Sequence, residues 1–220
     1  MKLKLLYIIL LIGFIMPKEI QSENLFKISR IHYSGGGDWY ADPSSLPNLL
    51  NFISKKTDIK VQLEENVVKI GDNKFNENNY YYITGHGNIK LEQKEKNILR
   101  SKLLNGAFLH ADDNYGLDKS FRKLMKEIFP DKSLVEIPPN HEIFNIFYKF
   151  PNGLPKIHEH NNQRPQALGL FHKGKLIVLY TYESDLGDGW EDVKVHNVPE
   201  YKHEDALKMG TNIIIHFLTN

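Results

Sequence analysis

The sequence predicts an α/β protein: a three-layer α/β/α sandwich in which helices cover both faces of a mostly parallel sheet. Short apolar segments typical of strands alternate along the chain with segments whose apolar residues recur at helical spacing. Repeated alternation of this kind indicates a parallel sheet that is buried on both faces. The 220 residues are 41% hydrophobic and 25% charged, which is typical of a globular chain and excludes disordered and low-complexity classes.

The first half of the chain predicts a helix between short strands. Residues 26–33 alternate apolar and polar side chains and then meet three glycines at 35–37, a pattern typical of a strand that ends in a turn. Ser44 or Ser45 can begin a helix, because leucines and an isoleucine follow at helical spacing up to Ile53. Alternation near residues 61–63 and 68–70 predicts one or two short strands, and residues 80–83 form a compact apolar strand.

The second half continues the alternation. Helices are predicted over residues 91–104 and 117–129, with short strands at 107–109 and 134–137. Residues 167–171 and 175–182 predict a hairpin around Lys173 and Gly174. A last helix places Ala206, Gly210 and Ile213 on one face. The proline-rich segment 138–166 shows no regular pattern.

The beginning of the chain predicts a signal peptide over residues 1–22, followed by a single α/β domain over 23–220. Lys2 and Lys4 precede an apolar run at residues 5–16, which suits the core of a signal peptide but is shorter than the roughly 20 residues that span a bilayer. Cleavage after Ser22 would leave an exported protein, periplasmic or secreted, without a stable membrane span. The alternative is an uncleaved anchor that reaches Ile20.

Charge and cysteine content exclude several classes of function. The formal net charge is +1, and it becomes −1 after loss of residues 1–22, which hold three lysines and one glutamate. No basic excess drives nucleic-acid binding, so nucleic acid is not an expected partner. The chain has no cysteine, which excludes disulfides, cysteine–zinc sites, iron–sulfur clusters and thiol catalysis.

Polar residues follow several predicted strands, and they are the candidate site. In α/β sheets of this type, ligands bind beyond the carboxyl ends of the strands. The predicted ligand-binding residues all follow or end such strands: Asp38, Trp39, Gly85, Gly87, His110, Asn114 and Asp185. Glycines at these places let backbone N–H groups approach an anion.

Two chemistries suit these residue types. Asp112 or Asp113 with His86 can form a general acid/base or nucleophilic centre, so these three are the predicted catalytic residues. Imidazoles and carboxylates also bind divalent metals, and the predicted metal ligands are His86, Asp112, His158 and His160. The sequence leaves the cofactor unknown, and a divalent metal is one candidate.

Each of these patterns also has a structural interpretation. The residues 112–114 can cap the helix that follows them. The Gly-Asp-Gly sequence at 187–189 is typical of a turn. The spacing of His158 and His160 puts both rings on one face only if the segment is a strand.

Five motifs of this chain stand out together: Gly37-Asp38-Trp39-Tyr40, Tyr82-Ile83-Thr84-Gly85-His86-Gly87, Asn105-Gly106-Ala107-Phe108-Leu109-His110-Ala111-Asp112-Asp113-Asn114, Ser184-Asp185-Leu186-Gly187-Asp188-Gly189-Trp190-Glu191-Asp192 and Ala206-Leu207-Lys208-Met209-Gly210-Thr211-Asn212. In combination they resemble one bacterial family, domain of unknown function 4159 (DUF4159), over nearly all of residues 26–220. The family pattern usually has a glycine where this chain has Ala107, a departure that concerns strand packing. The resemblance implies no established activity.

The family is more distantly similar to class I glutamine amidotransferase-like proteins, which implies a flavodoxin-like sandwich. By that analogy residues 111–114 correspond to the nucleophile turn, and Gly85-His86-Gly87 corresponds to the oxyanion hole. Thiol amidotransferase chemistry is excluded because cysteine is absent. The resemblance suggests an old site in which carboxylates replace the nucleophile.

Three functions remain open. The chain is an exported protein that binds a small ligand or a metal, or a carboxylate- or metal-dependent hydrolase that uses Asp112 or Asp113 with His86, or a structural subunit that binds a partner protein. The sequence does not choose among them.

The signal peptide is the first testable prediction. The protein recovered from its native host should begin after Ser22, because export removes a segment of this type. The intact mass of the mature protein measures the cleavage site directly. A cytoplasmic species that still begins at Met1 would contradict the prediction.

Overall fold

The computed structural model describes residues 25–220, and the predicted signal segment 1–22 lies outside the described residues. Seven strands form one sheet. Their bounds are β1 (Ser29–Ile31), β2 (Asn66–Val68), β3 (Tyr80–Ile83), β4 (Phe108–Asp112), β5 (Val135–Glu136), β6 (Gln166–His172) and β7 (Lys175–Tyr182). The helices are α1 (Ser45–Lys56), α2 (Asn73–Asn76), α3 (Gln93–Leu104), α4 (Asp118–Ile128), α5 (Leu186–Trp190), α6 (Val193–His196) and α7 (Glu200–Thr219), with a 3₁₀ turn at Glu142–Phe144.

The sheet is mixed and mostly parallel, in the order β2-β1-β3-β4-β7-β6-β5. Strands β2, β1, β3, β4 and β7 run parallel to one another, and β6 pairs antiparallel with both β7 and β5. The predicted strands at β1, β3 and β4 are neighbours in the centre of the sheet, and the predicted β6–β7 hairpin is confirmed. The carboxyl ends of β1, β3, β4 and β7 therefore meet at one edge of the sheet.

Alternate side chains of the central strands enter two separate cores. Tyr80 and Tyr82 of β3 pack into the core that contains α1, α5 and α7, while Tyr81 and Ile83 pack into the core that contains α3 and α4. This follows from the period of two along a strand. The tyrosines and Ile83 are all buried because helices cover both faces of the sheet, and the three-layer architecture is thereby confirmed.

Some element bounds differ from the sequence prediction. The first strand covers only Ser29–Ile31, since Phe26 makes just an isolated bridge with Val61. Strand β4 extends to Asp112, two residues into the segment expected to turn. The predicted turn at residues 187–189 is instead part of α5, because the Gly187 N–H bonds to buried Asp112 and a helical bond joins Gly189 N–H to the Asp185 carbonyl.

Among residues 25–220, no helix has the length and apolar character needed to cross a membrane.

The inward face of α4 gives a stability prediction. Phe121 is fully buried and lies against Tyr180, with ring centroids 4.5 Å apart. Phe121→Ala should lower the free energy of unfolding by roughly 3–5 kcal/mol, because apolar contact is lost and a cavity remains. Denaturant unfolding measures the change. The control, Lys126→Ala, alters an exposed side chain of the same helix and should stay within about 0.5 kcal/mol. A loss below about 1 kcal/mol for Phe121→Ala would contradict the packing.

Candidate functional site

Seven carboxylate side chains are buried beyond the carboxyl ends of β1, β4 and β7. Each is at most 7% exposed, and they are Asp42, Asp112, Asp113, Glu183, Asp185, Asp188 and Glu191. Burial of a carboxylate is costly unless a cation or hydrogen-bond donors compensate the charge. Such a concentration of acidic groups is therefore a candidate site for protons or cations.

Three histidines reach this acidic edge from outside the sheet. His158 and His160 lie in the irregular segment before β6, and His196 ends α6. A backbone hydrogen bond of 2.9 Å from Ile157 N–H to the Ser184 carbonyl holds that segment against the end of β7. The three rings are partly exposed, so the histidine side of the cluster faces solvent.

The imidazoles and carboxylates are close enough to share ions. His160 Nε2 lies 3.1 Å from Asp185 Oδ2, and His158 Nδ1 lies 2.8 Å from Asp188 Oδ2. His196 Nε2 lies 3.0 Å from Glu191 Oε2. Three overlapping groups offer ligand atoms within 4.8 Å of one another: His158–His160–Asp185, His158–Asp188–His196 and Asp42–Glu191–His196.

Asp185 is the most constrained member of the cluster. Only 1% of the residue is exposed, its backbone is left-handed at φ 56°, and neither carboxylate oxygen accepts a hydrogen bond among the described residues. Burial raises the pKa of Asp185 to about 9, and the nearby Asp112 and Asp188 carboxylates add to the rise. Burial lowers the pKa of His160, so its ring is neutral and has a nitrogen lone pair to offer.

Asp112 supports the segment that carries the cluster. Its Oδ2 accepts a 2.6 Å hydrogen bond from Gly187 N–H, and its Oδ1 accepts a short hydrogen bond from the Thr181 hydroxyl. Burial raises the pKa of Asp112 to about 7, partly offset by these two hydrogen bonds. A Cβ at Gly187 would lie 2.6 Å from Asp42 Oδ2, so only glycine lets α5 approach this closely.

The structure places the other predicted catalytic residues in different contacts. His86 is half exposed, and its Nδ1 lies 3.0 Å from Asp38 Oδ2. Asp113 Oδ1 accepts a hydrogen bond from Leu117 N–H just ahead of α4. No hydrogen bond or ion pair within residues 25–220 joins His86 to Asp112 or Asp113. A cleft shared by these three residues stays a prediction.

The predicted ligand-binding residues are also dispersed. Trp39 stacks on His32 with centroids 4.1 Å apart. Gly85 has φ +123°, and a Cβ there would lie 2.6 Å from the Tyr33 hydroxyl, so close packing requires this glycine. Gly87 also has a positive φ. His110 is buried between the side chains of Tyr80 and Thr181, and burial lowers its pKa to about 3.

Of the predicted metal ligands, His158 and His160 belong to the clustered groups within the described chain, whereas His86 and Asp112 do not. Asp185 and Asn114, predicted to bind a ligand, lie at the cluster, with Asn114 donating to Asp42 Oδ2 at 2.7 Å.

Sequence reasoning missed four residues of the three groups that offer ligand atoms within 4.8 Å of one another: Asp42, Asp188, Glu191 and His196. Asp188 and Glu191 fall within the motif at 184–192, so the sequence could have identified them as candidate acidic ligands. Asp42 and His196 lie alone in unpatterned segments and carry no such signal.

Comparison with known families places the chain in one of them. A family model described as Domain of unknown function (DUF4159) matches residues 27–218. The chain belongs to the DUF4159 family. None of the curated proteins matches this DUF4159 chain. The carboxylates and histidines of the cluster all lie inside the matched region.

The buried charge of Asp112 gives a pH prediction. The folded state keeps a proton on Asp112 up to about pH 7, while the unfolded state releases it near the ordinary value of 3.8, so this group destabilises the protein as pH rises between those values. Asp112→Asn removes the charge and keeps both hydrogen bonds, since its amide can donate to the Thr181 hydroxyl. Relative to wild type, it should gain on the order of 2 kcal/mol between about pH 5 and about pH 8.

Denaturant unfolding at the two pH values measures that gain. The matched variant Asp112→Ala leaves the Gly187 N–H without an acceptor and should lose about 1–3 kcal/mol at about pH 5. Because it also lacks the carboxyl, its stability relative to wild type should rise between the two pH values by the same amount as that of Asp112→Asn. Equal losses for the two variants, independent of pH, would contradict a buried titrating carboxyl.

Proposed function

We propose that this DUF4159 chain is a metal-binding α/β domain that holds a divalent transition-metal ion through His158, His160 and Asp185. One observation carries the proposal: the Asp185 carboxylate is buried, accepts no hydrogen bond within the described chain, and lies 3.1 Å from a histidine nitrogen. A cation between these groups would supply the partner that the carboxylate needs.

The donor set favours particular ions. Two imidazoles and one carboxylate suit zinc, iron, manganese or cobalt better than magnesium or calcium, which prefer oxygen ligands. The His158 and His160 side chains are 39% and 23% exposed, so the ion could be reached from solvent. Three protein ligands would leave coordination positions for water or a small ligand.

Electrostatics supports the same function. At neutral pH burial keeps Asp185 protonated, since its pKa rises to about 9. A nearby divalent cation favours the ionised carboxylate, so metal binding would release this proton. The acidic cluster is then stabilised either by protons or by metal.

We also propose that the domain acts outside the cytoplasm as an exported protein. The support is the basic and apolar leader at residues 1–22. A small molecule that coordinates the metal, rather than a nucleic acid, is the ligand that the near-neutral charge favours.

Metal titration tests the proposed site. Full-length protein stripped with a chelator should bind Zn²⁺ or Mn²⁺ in calorimetry, and its melting temperature should rise. Metal at about 100 times its Kd adds about 2.7 kcal/mol, roughly 5–10 °C for a domain of this size. Asp185→Asn and His160→Gln should each lose one equivalent of bound metal.

The control is His172→Gln, which changes a histidine at the far end of β6 and should bind like wild type. Asn adopts the left-handed conformation of residue 185 readily, so Asp185→Asn should fold. Absence of binding by wild type, or unchanged binding by Asp185→Asn, would overturn the proposal.

A further inference from the structure

We propose that Asp42, Glu191 and His196 form a second divalent-cation site beside the first, with Asp188 between the two. This inference rests on the proposed function, because it extends the same cluster. The second set shares no residue with His158, His160 and Asp185, so both ions can be bound at once.

Hydrogen bonds to one oxygen of each carboxylate orient Asp42 and Glu191 in the second site. Asn114 donates to Asp42 Oδ2 at 2.7 Å, and Ser44 donates to Glu191 Oε1 through its backbone N–H at 3.1 Å and through its hydroxyl at 3.0 Å. The other oxygen of each carboxylate lies toward His196, at 3.9 Å for Asp42 and 3.0 Å for Glu191. Outer hydrogen bonds that orient ligands in this way are typical of metal sites.

A separate observation also indicates a ligand here. The Oδ1 atom of Asn114 has no hydrogen-bond partner within the described chain, although the residue is only 2% exposed. Its amide nitrogen is already directed at Asp42. Asn114 contacts Asp42 Oδ2, while Asp42 Oδ1 is the oxygen nearer His196, so a water bound to the ion would be the partner of the free oxygen.

Asp188 links the two sites. Its Oδ2 lies 2.8 Å from His158 Nδ1 of the first site and 3.5 Å from His196 Nδ1 of the second. A carboxylate in this position can bind both ions or orient both imidazoles. Ions in two-metal centres that share ligands lie about 3.5–4 Å apart.

The charges match two ions. The two sites and Asp188 contain four carboxylates and three histidines. With neutral imidazoles, four negative charges balance two divalent cations. Lys156 and Arg30 pair with carboxylates that belong to neither site, since Lys156 lies 2.9 Å from Glu183 and Arg30 lies 2.7 Å from Glu65.

Metal stoichiometry tests the second site. Chelator-stripped full-length protein should bind two equivalents of Mn²⁺ by calorimetry and by elemental analysis after gel filtration. Asp42→Asn and, independently, His196→Gln should each bind one, and so should the first-site variant His160→Gln. His172→Gln should bind two. Asp42→Asn keeps the acceptor for Asn114, and Asn tolerates the left-handed backbone at φ 55°.

Each result decides the question. One equivalent in wild type that is lost in His160→Gln would overturn the second site and leave the proposed function standing, whereas no binding would overturn both. Two equivalents retained by Asp42→Asn and His196→Gln would overturn the assignment of ligands. Exchange-coupled electron paramagnetic resonance from the doubly loaded protein supports adjacent ions around Asp188, and two isolated Mn²⁺ signals would overturn that arrangement.

Discussion

The contact between the Asp112 carboxylate and the Gly187 N–H joins the sheet to the acidic cluster. It ties the end of β4 to the first turn of α5, the short helix that carries Asp188 and is followed by Glu191. Gly187 makes this approach feasible, because any larger residue would place an atom against Asp42. The position of one side of the cluster therefore depends on one buried carboxylate and one glycine.

This arrangement lowers the stability of the folded chain. Desolvation opposes ionisation of Asp42, Asp112 and Asp185, and the pKa of each is raised. Protonation removes the cost of burying these charges at low pH, and bound cations would offset that cost near neutral pH. Left-handed backbone at Asp42, Glu183 and Asp185 adds local strain at the same edge of the sheet. A protein selected only for stability would place apolar or hydrogen-bonded groups there.

Asp38 and His86 form a separate, more exposed pair on the glycine-rich side of the same sheet edge. The glycines beside this pair allow close packing, since a Cβ at Gly85 would lie 2.6 Å from the Tyr33 hydroxyl. The glycine-containing and acidic segments thus have two structural tasks. The residues at 37–40 and 82–87 shape the end of β3, and those at 105–114 and 184–192 supply buried residues beneath the acidic cluster.

The local pattern of apolar and polar residues in the sequence was sufficient to predict the layered fold. The apolar run at Tyr80–Ile83 and the helical spacing of Phe121, Leu124 and Ile128 predict their elements, because periodicity reports burial directly. The strand order of the centre followed from the same alternation. The sequence also placed His158, His160 and Asp185 among the candidate residues, since imidazoles and carboxylates are recognisable ligand types.

Only the tertiary structure decided which of these groups meet. His158 lies in an unpatterned segment, and its approach to Asp188 depends on the hydrogen bond between Ile157 and Ser184. Asp42 lies in the loop before α1 and His196 ends α6, more than 150 residues later, and the two meet because the β1 and β7 ends share one edge. The sequence by itself determined the layers and the chemical types of the ligands. Long-range contacts decided which of these side chains come together. The conformation of a loop depends on what the loop packs against, so it produces no periodic pattern in the sequence.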